Sequence, residues 1–317
     1  MCGKGRKAKK HDMSVAVCFA CNEAYVPLCK GLVLSLGEAF RFAGSRYSPH
    51  FIDIGCERAS LDWLDAAGVG IHGFDRADYF SGISEQLLPR YADAQLCRPF
   101  LPAIVPGYTW YIWIDCDIWI QGTDVLPALV QAASGFAEKI VICPELHYGY
   151  IGHRSLRYGL IAQQRWYRAL YKHDEALADE LSYRPMFNSG LFAMHGGGPL
   201  WKLWADELAA LYSDDHSADP SVLHYAEQLG LNRVIHEKQA FVPLDPLFNY
   251  ACGGSSVFLN PRGRVVVGYP PCPQIKGVHL LAFSLYGDMY LDRGLLYRKG
   301  DYLTEEERAA LRGLVRK

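Results

Sequence analysis

Five consecutive apolar residues, 110-WYIWI-114, run straight into two acids, Asp115 and Asp117, separated by one cysteine. The five are aromatic or β-branched, with no Gly or Pro among them, a composition that favours a strand. A strand that is apolar at every position is buried on both faces, as in the middle of a parallel sheet. Carboxylates are almost never fully buried unless they are paired or hold a metal. Asp115 and Asp117 therefore mark the point where the strand leaves the sheet, and the carboxyl ends of strands are where α/β proteins bind ligands. Side chains at i and i+2 of an extended chain point the same way, so the two carboxylates face one point. Like charges held that close raise each other's pKa unless something positive lies between them. A hard divalent cation with oxygen ligands meets that need. The pattern also suits two solvated acids at a strand end; the strongly apolar strand before them favours the metal.

The surrounding elements follow from periodicity. Residues 14-SVAVCFA-20 read as a buried first strand, and Leu28, Leu32, Leu36 and Phe40 fall at helical spacing within 26–40. A second strand is expected at 50–55. A short helix follows at 60–68, with Ser60 as its N-cap and Gly68 at its end. A third strand is expected at 69–74, a proline-interrupted helical stretch at 84–107 and another strand at 139–145. Strand and helix alternating over the first ~145 residues predict a parallel, doubly wound sheet. Beyond it, 147–159 reads as a surface loop or cover and 160–181 as one helix. A strand carrying Asn-Ser-Gly is expected at 186–195. Helices follow at 199–213 and 219–230, the latter capped by Asp219.

Bulk properties limit the partners. The chain has 317 residues, 50% of them apolar, and a net charge of −2. The near-neutral balance gives no case for nucleic acid. Most of the ten cysteines sit in apolar runs and read as reduced, buried thiols of a cytoplasmic protein. Cys18-x-x-Cys21 has the form of half a zinc site, but no second pair follows at ligand spacing. No window reaches the ~18 consecutive apolar residues of a membrane span. Residues 1-MCGKGRKAKKH-11 carry five Lys or Arg and no acid. They read as a disordered tail, with peripheral contact to anionic lipid as the second reading.

Together these features resemble the family 8 glycosyltransferases of the GT-A fold, the group that contains bacterial lipopolysaccharide galactosyltransferases and glycogenin. The resemblance is spread over residues 14–285. The opening 19-FACNEAY-25 is similar to the family's F-A-x-D-x-N-Y nucleotide loop, with Tyr25 matching, Asn22 in place of Asp and Ala24 in place of Asn. Arg98 lies seventeen residues before Asp115, a family spacing, and 115-DCD-117 is similar to the metal-binding Asp-x-Asp. The stretch 187-FNSGLF-192 looks like the family's F-N-[AS]-G. Asp219 matches the Asp of an Asp-Gln pair, with Pro220 replacing the Gln. The stretch 243-PLDPLFNY-250 resembles the segment before the last core strand, and His279 matches the third metal ligand. The family's Gly and Lys after that His are replaced by Ala282 and Leu285, which removes a cation that contacts the diphosphate.

The resemblance implies a GT-A fold with one Rossmann-like, mostly parallel sheet flanked by helices. It spans 14–285, with a nucleotide-binding half at 14–145 and a sugar and acceptor half at 146–285. A basic tail at 1–13 precedes it and a helical extension at 286–317 follows. It further implies transfer of a hexose, with retention, from UDP-galactose or UDP-glucose to a saccharide or glycolipid acceptor. Asp115, Asp117 and His279 would hold Mn²⁺, with Mg²⁺ the second choice. Ala20, Cys21, Asn22, Tyr25 and Arg98 would join the two acids in binding the donor, while Asn188 and Asp219 would serve the reacting sugar. Each has a plainer reading: an ion pair for Arg98, a core residue for His279, a turn for Asn188 and a helix cap for Asp219. Two rivals for the whole chain are a haloacid-dehalogenase-type phosphatase and an impaired nucleotide-sugar or glycan-binding protein of the same fold. The phosphatase motif normally opens the first strand, whereas here about a hundred residues precede it.

Overall fold

The computed structural model describes residues 13–44, 46–80, 83, 88, 90–145, 156–216, 219–252, 257–268, 270–280, 289–291 and 294–297. The strands, in chain order, begin with β1 (Val15–Cys21), β2 (Tyr47–Asp53), β3 (Gly70–Gly73) and β4 (Trp110–Ile114). They continue with β5 (Ile118–Ile120), β6 (Ile140–Pro144), β7 (Phe187–His195), β8 (Phe241–Pro243) and β9 (Tyr250–Ala251). Then come β10 (Val257–Leu259), β11 (Val265–Val267) and β12 (Gly277–His279). The main sheet has seven strands in the order β3-β2-β1-β4-β7-β6-β8. All its pairings are parallel except those of β7, which runs antiparallel to both β4 and β6. The expected parallel sheet is thus present with one reversed strand inside it. A smaller sheet, β5-β12-β9, stands beyond the end of β4.

Every residue of β1 and β4 is buried, as strands with both faces covered require. Ala16, Cys18 and Ala20 of β1 face one apolar layer, and Val15, Val17, Phe19 and Cys21 face the other. Cys18 and Cys21 therefore lie on opposite faces and make no half-site for zinc. Helices α1 (Val26–Ala43) and α3 (Val125–Ala133) cover the Cys21 side. Helices α6 (Leu200–Ser213) and α7 (Ala226–Lys238) cover the other.

Several boundaries differ from the expectation. Helix α2 (Arg58–Ala66) starts after Glu57, which makes no side-chain capping bond, and Ser60 lies inside it with its hydroxyl donating to Glu23 Oε1 at 2.9 Å. The segment 160–181 is two helices, α4 (Leu156–Leu170) and α5 (Glu175–Ser182). Asp174 starts the second by accepting from Leu177 N at 3.0 Å. Asp219 opens a 3₁₀ turn, Pro220–His224, ahead of α7, but its side chain caps nothing. Within 286–317, expected to be helical, Met289–Leu291 and Gly294–Tyr297 pair antiparallel, because two apolar runs flank the polar Asp292-Arg293. The basic tail at 1–12 and the bulk of the 147–159 loop, including Arg154, lie outside the described residues, as do Ala282 and Leu285.

At the sheet's β2–β3 edge, His50 Nδ1 lies 3.0 Å from His72 Nε2, and His50 Nε2 lies 2.8 Å from the Tyr108 hydroxyl. Burial, helped by the neighbouring His72, pulls the His50 pKa from 6.5 down to about 4. The unfolded chain takes up a proton there that the folded chain resists. This contribution to stability is complete above pH 6.5 and is lost as the pH falls toward 4. His50→Gln should flatten that acid loss in urea titrations across this window. Parallel acid losses in both proteins would exclude the assignment.

Candidate metal centre

The site is assembled where β4 hands over to β5. After Ile114 the chain turns through Asp115, Cys116 and Asp117, and Ile118 N donates to the Asp115 carbonyl at 2.9 Å. β5 then pairs antiparallel with β12, placing His279 opposite Ile118. The bond from Leu280 N to the Asp117 carbonyl, 3.0 Å, extends that ladder by one step. His279 Nε2 comes to 3.5 Å from Asp117 Oδ1. One ligand atom each from Asp115, Asp117 and His279 lies within 4.8 Å of the others. Asp117 and His279 are buried, while the Asp115 side chain is 24% exposed, so the group opens to solvent on the Asp115 side.

The surroundings orient each ligand. Asp115 Oδ1 accepts from Arg98 at 2.5 Å and from Trp113 Nε1 at 2.7 Å. Its other oxygen lies over Gly190, where a Cβ would sit only 2.6 Å from it. His279 Nδ1 lies 2.7 Å from Asn249 Oδ1, and Asn249 Nδ2 donates to Asn188 Oδ1 at 2.8 Å. The Asn249 oxygen is therefore the acceptor, the His279 proton sits on Nδ1, and the Nε2 lone pair faces the carboxylates. Fixing a tautomer through the distal nitrogen is how metal-binding histidines are set. Burial alone would lower the His279 pKa, but Asp117, then Asp115 and Glu145, outweigh it and raise it. The site thus pulls in positive charge. Two carboxylates and one oriented imidazole fit a divalent cation of the Mn²⁺ or Mg²⁺ kind.

Arg98 is 4% exposed. Its terminal nitrogens bond Asp115, Ser189 Oγ at 2.7 Å and Glu227 Oε2 at 2.8 Å, and its guanidinium lies 5.1 Å from the Trp113 ring centroid. In this geometry Arg98 holds Asp115 in place rather than presenting a fork to a phosphate. Asn188 ties the site together: Nδ2 donates to Glu145 Oε1 at 2.8 Å, and Oδ1 also accepts from Gly190 N at 2.9 Å. Ala20 and Cys21 close β1 and are buried. Asn22 follows them with a buried side-chain oxygen that meets no protein donor, and Tyr25 packs between two apolar layers. Asp219 does not join the group. Its carboxylate binds Arg165 at 3.0 Å and the Ser221 hydroxyl.

Other residues, not singled out in the sequence, line the group. Glu227 accepts from Arg98 and Ser189. Gln228 donates to Glu145 Oε1 at 3.0 Å and accepts from Ser189 N at 3.2 Å. Glu145 had a readable signal, since it follows the apolar strand β6 as Asp115 follows β4. Glu227 and Asn249 carried none, because their nearness to the site is created by chain crossings far apart in sequence. The Gly190 contact yields a direct test. Gly190→Ala should displace Asp115 and weaken Mn²⁺ binding by about tenfold or more, the range seen when a ligand's support is removed, readable by Mn²⁺ electron paramagnetic resonance. Unchanged affinity would show that Asp115 is not held there as a ligand.

No protein-family model matches the chain, and no curated protein matches it. Among solved structures, it is similar to the bifunctional glycosyltransferase WbbM in its apo form, at 12% identity and a TM-score of 0.52. The match covers 88% of this chain and 47% of WbbM, so the chain spans about half of that protein's length. Mouse xyloside xylosyltransferase 1 matches at 16% identity and a TM-score of 0.49, over 86% of this chain and 98% of that one. The galactosyltransferase LgtC, solved with donor and acceptor sugar analogues, matches at 10% identity and a TM-score of 0.48, over 94% and 95% of the two chains. The likeness to WbbM shows the fold: α/β with a mostly parallel central sheet, of the GT-A glycosyltransferase type. Among the described residues no helix is long and apolar enough to cross a membrane.

Proposed function

We propose that the protein is a metal-dependent glycosyltransferase, moving a hexose from a nucleotide sugar to a saccharide or glycolipid acceptor with retention at the transferred carbon. UDP-galactose and UDP-glucose are the favoured donors. The observation that carries this reading is the Asp115–Asp117–His279 group at the carboxyl end of β4, with its histidine tautomer fixed, on a GT-A fold. A bound Mn²⁺ would stabilise negative charge on a departing diphosphate. The chain's own residues have separate tasks. Arg98 and Trp113 hold Asp115, Asn249 orients His279, and Asn188, Glu145 and Gln228 form a polar wall beside the acids for sugar hydroxyls. Ala20, Cys21, Asn22 and Tyr25, at and just beyond the end of β1, would receive the base, with the unsatisfied Asn22 oxygen able to accept from an imide N–H.

One observation favours a second reading, a binding protein that does not transfer. Lys276, the cation nearest to His279 in sequence, is taken by Asp124 at 2.6 Å and leaves the diphosphate without that partner. A thermal-shift screen of UDP-, GDP- and ADP-sugars with and without Mn²⁺, followed by assay of released nucleotide, separates the readings. Stabilisation by UDP-hexose only with Mn²⁺, and UDP release, is the expected result. Stabilisation without release supports the binding protein, and indifference to every nucleotide sugar sinks both.

A further inference from the structure

Two imidazoles meet at the open edge of the main sheet, where β3 is the outermost strand. The parallel register sets His50 of β2 beside Gly70 of β3, and Ile52 beside His72. Residues two apart on a strand point the same way, so His50 and His72 share one face and sit diagonally across the two strands. Their ring centroids are 5.1 Å apart, with His50 Nδ1 at 3.0 Å from His72 Nε2. Both side chains are half-buried. On the far side of the His50 ring, Nε2 lies 2.8 Å from the Tyr108 hydroxyl. Gly70 leaves room beside the pair. A Cβ built there would stand 2.8 Å from His50 Nδ1 and 3.6 Å from His72 Nε2, so the two nitrogens border a space that a side chain at position 70 would enter.

We propose that His50 and His72 form a second metal site, one that takes a divalent transition ion of the Ni²⁺ or Cu²⁺ kind at the sheet edge. Two nitrogens bound at about 2.1 Å stand roughly 3.0 Å apart across a right angle and roughly 3.4 Å apart across a tetrahedral one. The 3.0 Å separation therefore matches neighbouring corners of a square or octahedral shell, the geometry of Ni²⁺ and Cu²⁺ rather than of Zn²⁺. In the free protein one proton bridges the two nitrogens, and the ion takes its place. His50 then keeps its proton on Nε2 and donates it to the Tyr108 hydroxyl, while His72 carries its own on Nδ1 and turns its Nε2 lone pair toward the ion. A partner on the distal nitrogen is how a metal-binding imidazole is oriented, and Tyr108 is that partner for His50. Burial holds both imidazoles below their ordinary pKa, so both are neutral, and able to bind, at neutral pH. Among the described residues no acid, thiol or third imidazole joins the pair, and water would complete the shell. The site owes nothing to the Asp115–Asp117–His279 group, whose oxygen-rich set suits harder ions.

The test titrates the full chain with Ni²⁺, an ion that thiols do not reduce. Calorimetry gives the affinity, and diethyl pyrocarbonate labelling mapped by mass spectrometry follows His72 itself. Ni²⁺ should shield His72 from labelling. On an Asp117→Asn background, which disables the acidic group, that shielding should persist, and His50→Gln or His72→Gln should each weaken Ni²⁺ binding by about tenfold or more. Gly70→Ala keeps both imidazoles and should also weaken shielding of His72, because its methyl enters the space beside them. Circular dichroism checks each fold; should His50→Gln unfold, His72→Gln on the outermost strand decides the matter. His72 labelled as fast with Ni²⁺ as without it, or an unchanged Ni²⁺ affinity in His72→Gln, would overturn the proposal.

Discussion

Asp117→Asn should abolish Mn²⁺ binding while leaving the fold intact. Loss of a group that merely supports a metal ligand costs 10–100-fold in affinity, so loss of a ligand charge should exceed about 100-fold. Asp117 is the cleaner of the two acids to change, because among the described residues the basic side chain paired with it is the His279 ring at 3.5 Å, with no arginine or lysine. Asp115→Asn should lose the metal too, but it also removes a charge from Arg98 and will lower stability. The measurement is Mn²⁺ titration alongside urea unfolding for both variants. Tight Mn²⁺ binding by Asp117→Asn would remove the basis of the metal reading. If Asp117→Asn unfolds instead, the acid is a structural residue.

Arg98→Met should be the most destabilising single change near the site. Arg98 and Glu227 are both buried, 2.8 Å apart. Removing one partner of such a pair costs about 3–5 kcal/mol, because the other charge is left uncompensated. Burial raises the Glu227 pKa and Arg98 opposes that rise, so without Arg98 the carboxyl shifts further up. An acid whose folded pKa lies above its unfolded value penalises folding once the pH exceeds the unfolded value, and most fully above the folded one. The defect should therefore be large at pH 7.5 and shrink toward pH 4.5 in denaturant titrations. Adding Glu227→Gln to Arg98→Met should recover part of the loss at pH 7.5. An equal deficit at both pH values would exclude the buried charge as its origin.

What could be read from the sequence was what a short window contains. The run 110-WYIWI-114 announces a fully buried strand, and the acids after it announce its end; both are found. The direction of β7 was not legible, because alternation of burial is the same for parallel and antiparallel strands. The break at 171–174 was missed because its apolar spacing continues across it, and only the Asp174 cap marks it. His279 was reached through resemblance, since a buried histidine in 277-GVHLL-281 is by itself ordinary. Asp219 is singled out through its resemblance to the Asp of the family's Asp-Gln pair, which carries no information about Glu227. The 3₁₀ turn that follows places the next acid, eight residues later, against Arg98 instead.

The pairing of β5 with β12 has a consequence for the order of events in folding. Asp117 and His279 are separated by 162 positions, the difference of their residue numbers, and meet only when that ladder has closed. A chain stopped before Gly277 would hold both acids and no imidazole, so it should not retain the ion. Metal capture would then report that β12 has docked on β5. Because the ion binds the closed ladder and not the open one, its free energy is added to that closure, by RT ln(1 + [metal]/Kd). Ion concentration, added to the ladder's own hydrogen bonds, would then set how tightly β12 is latched to β5.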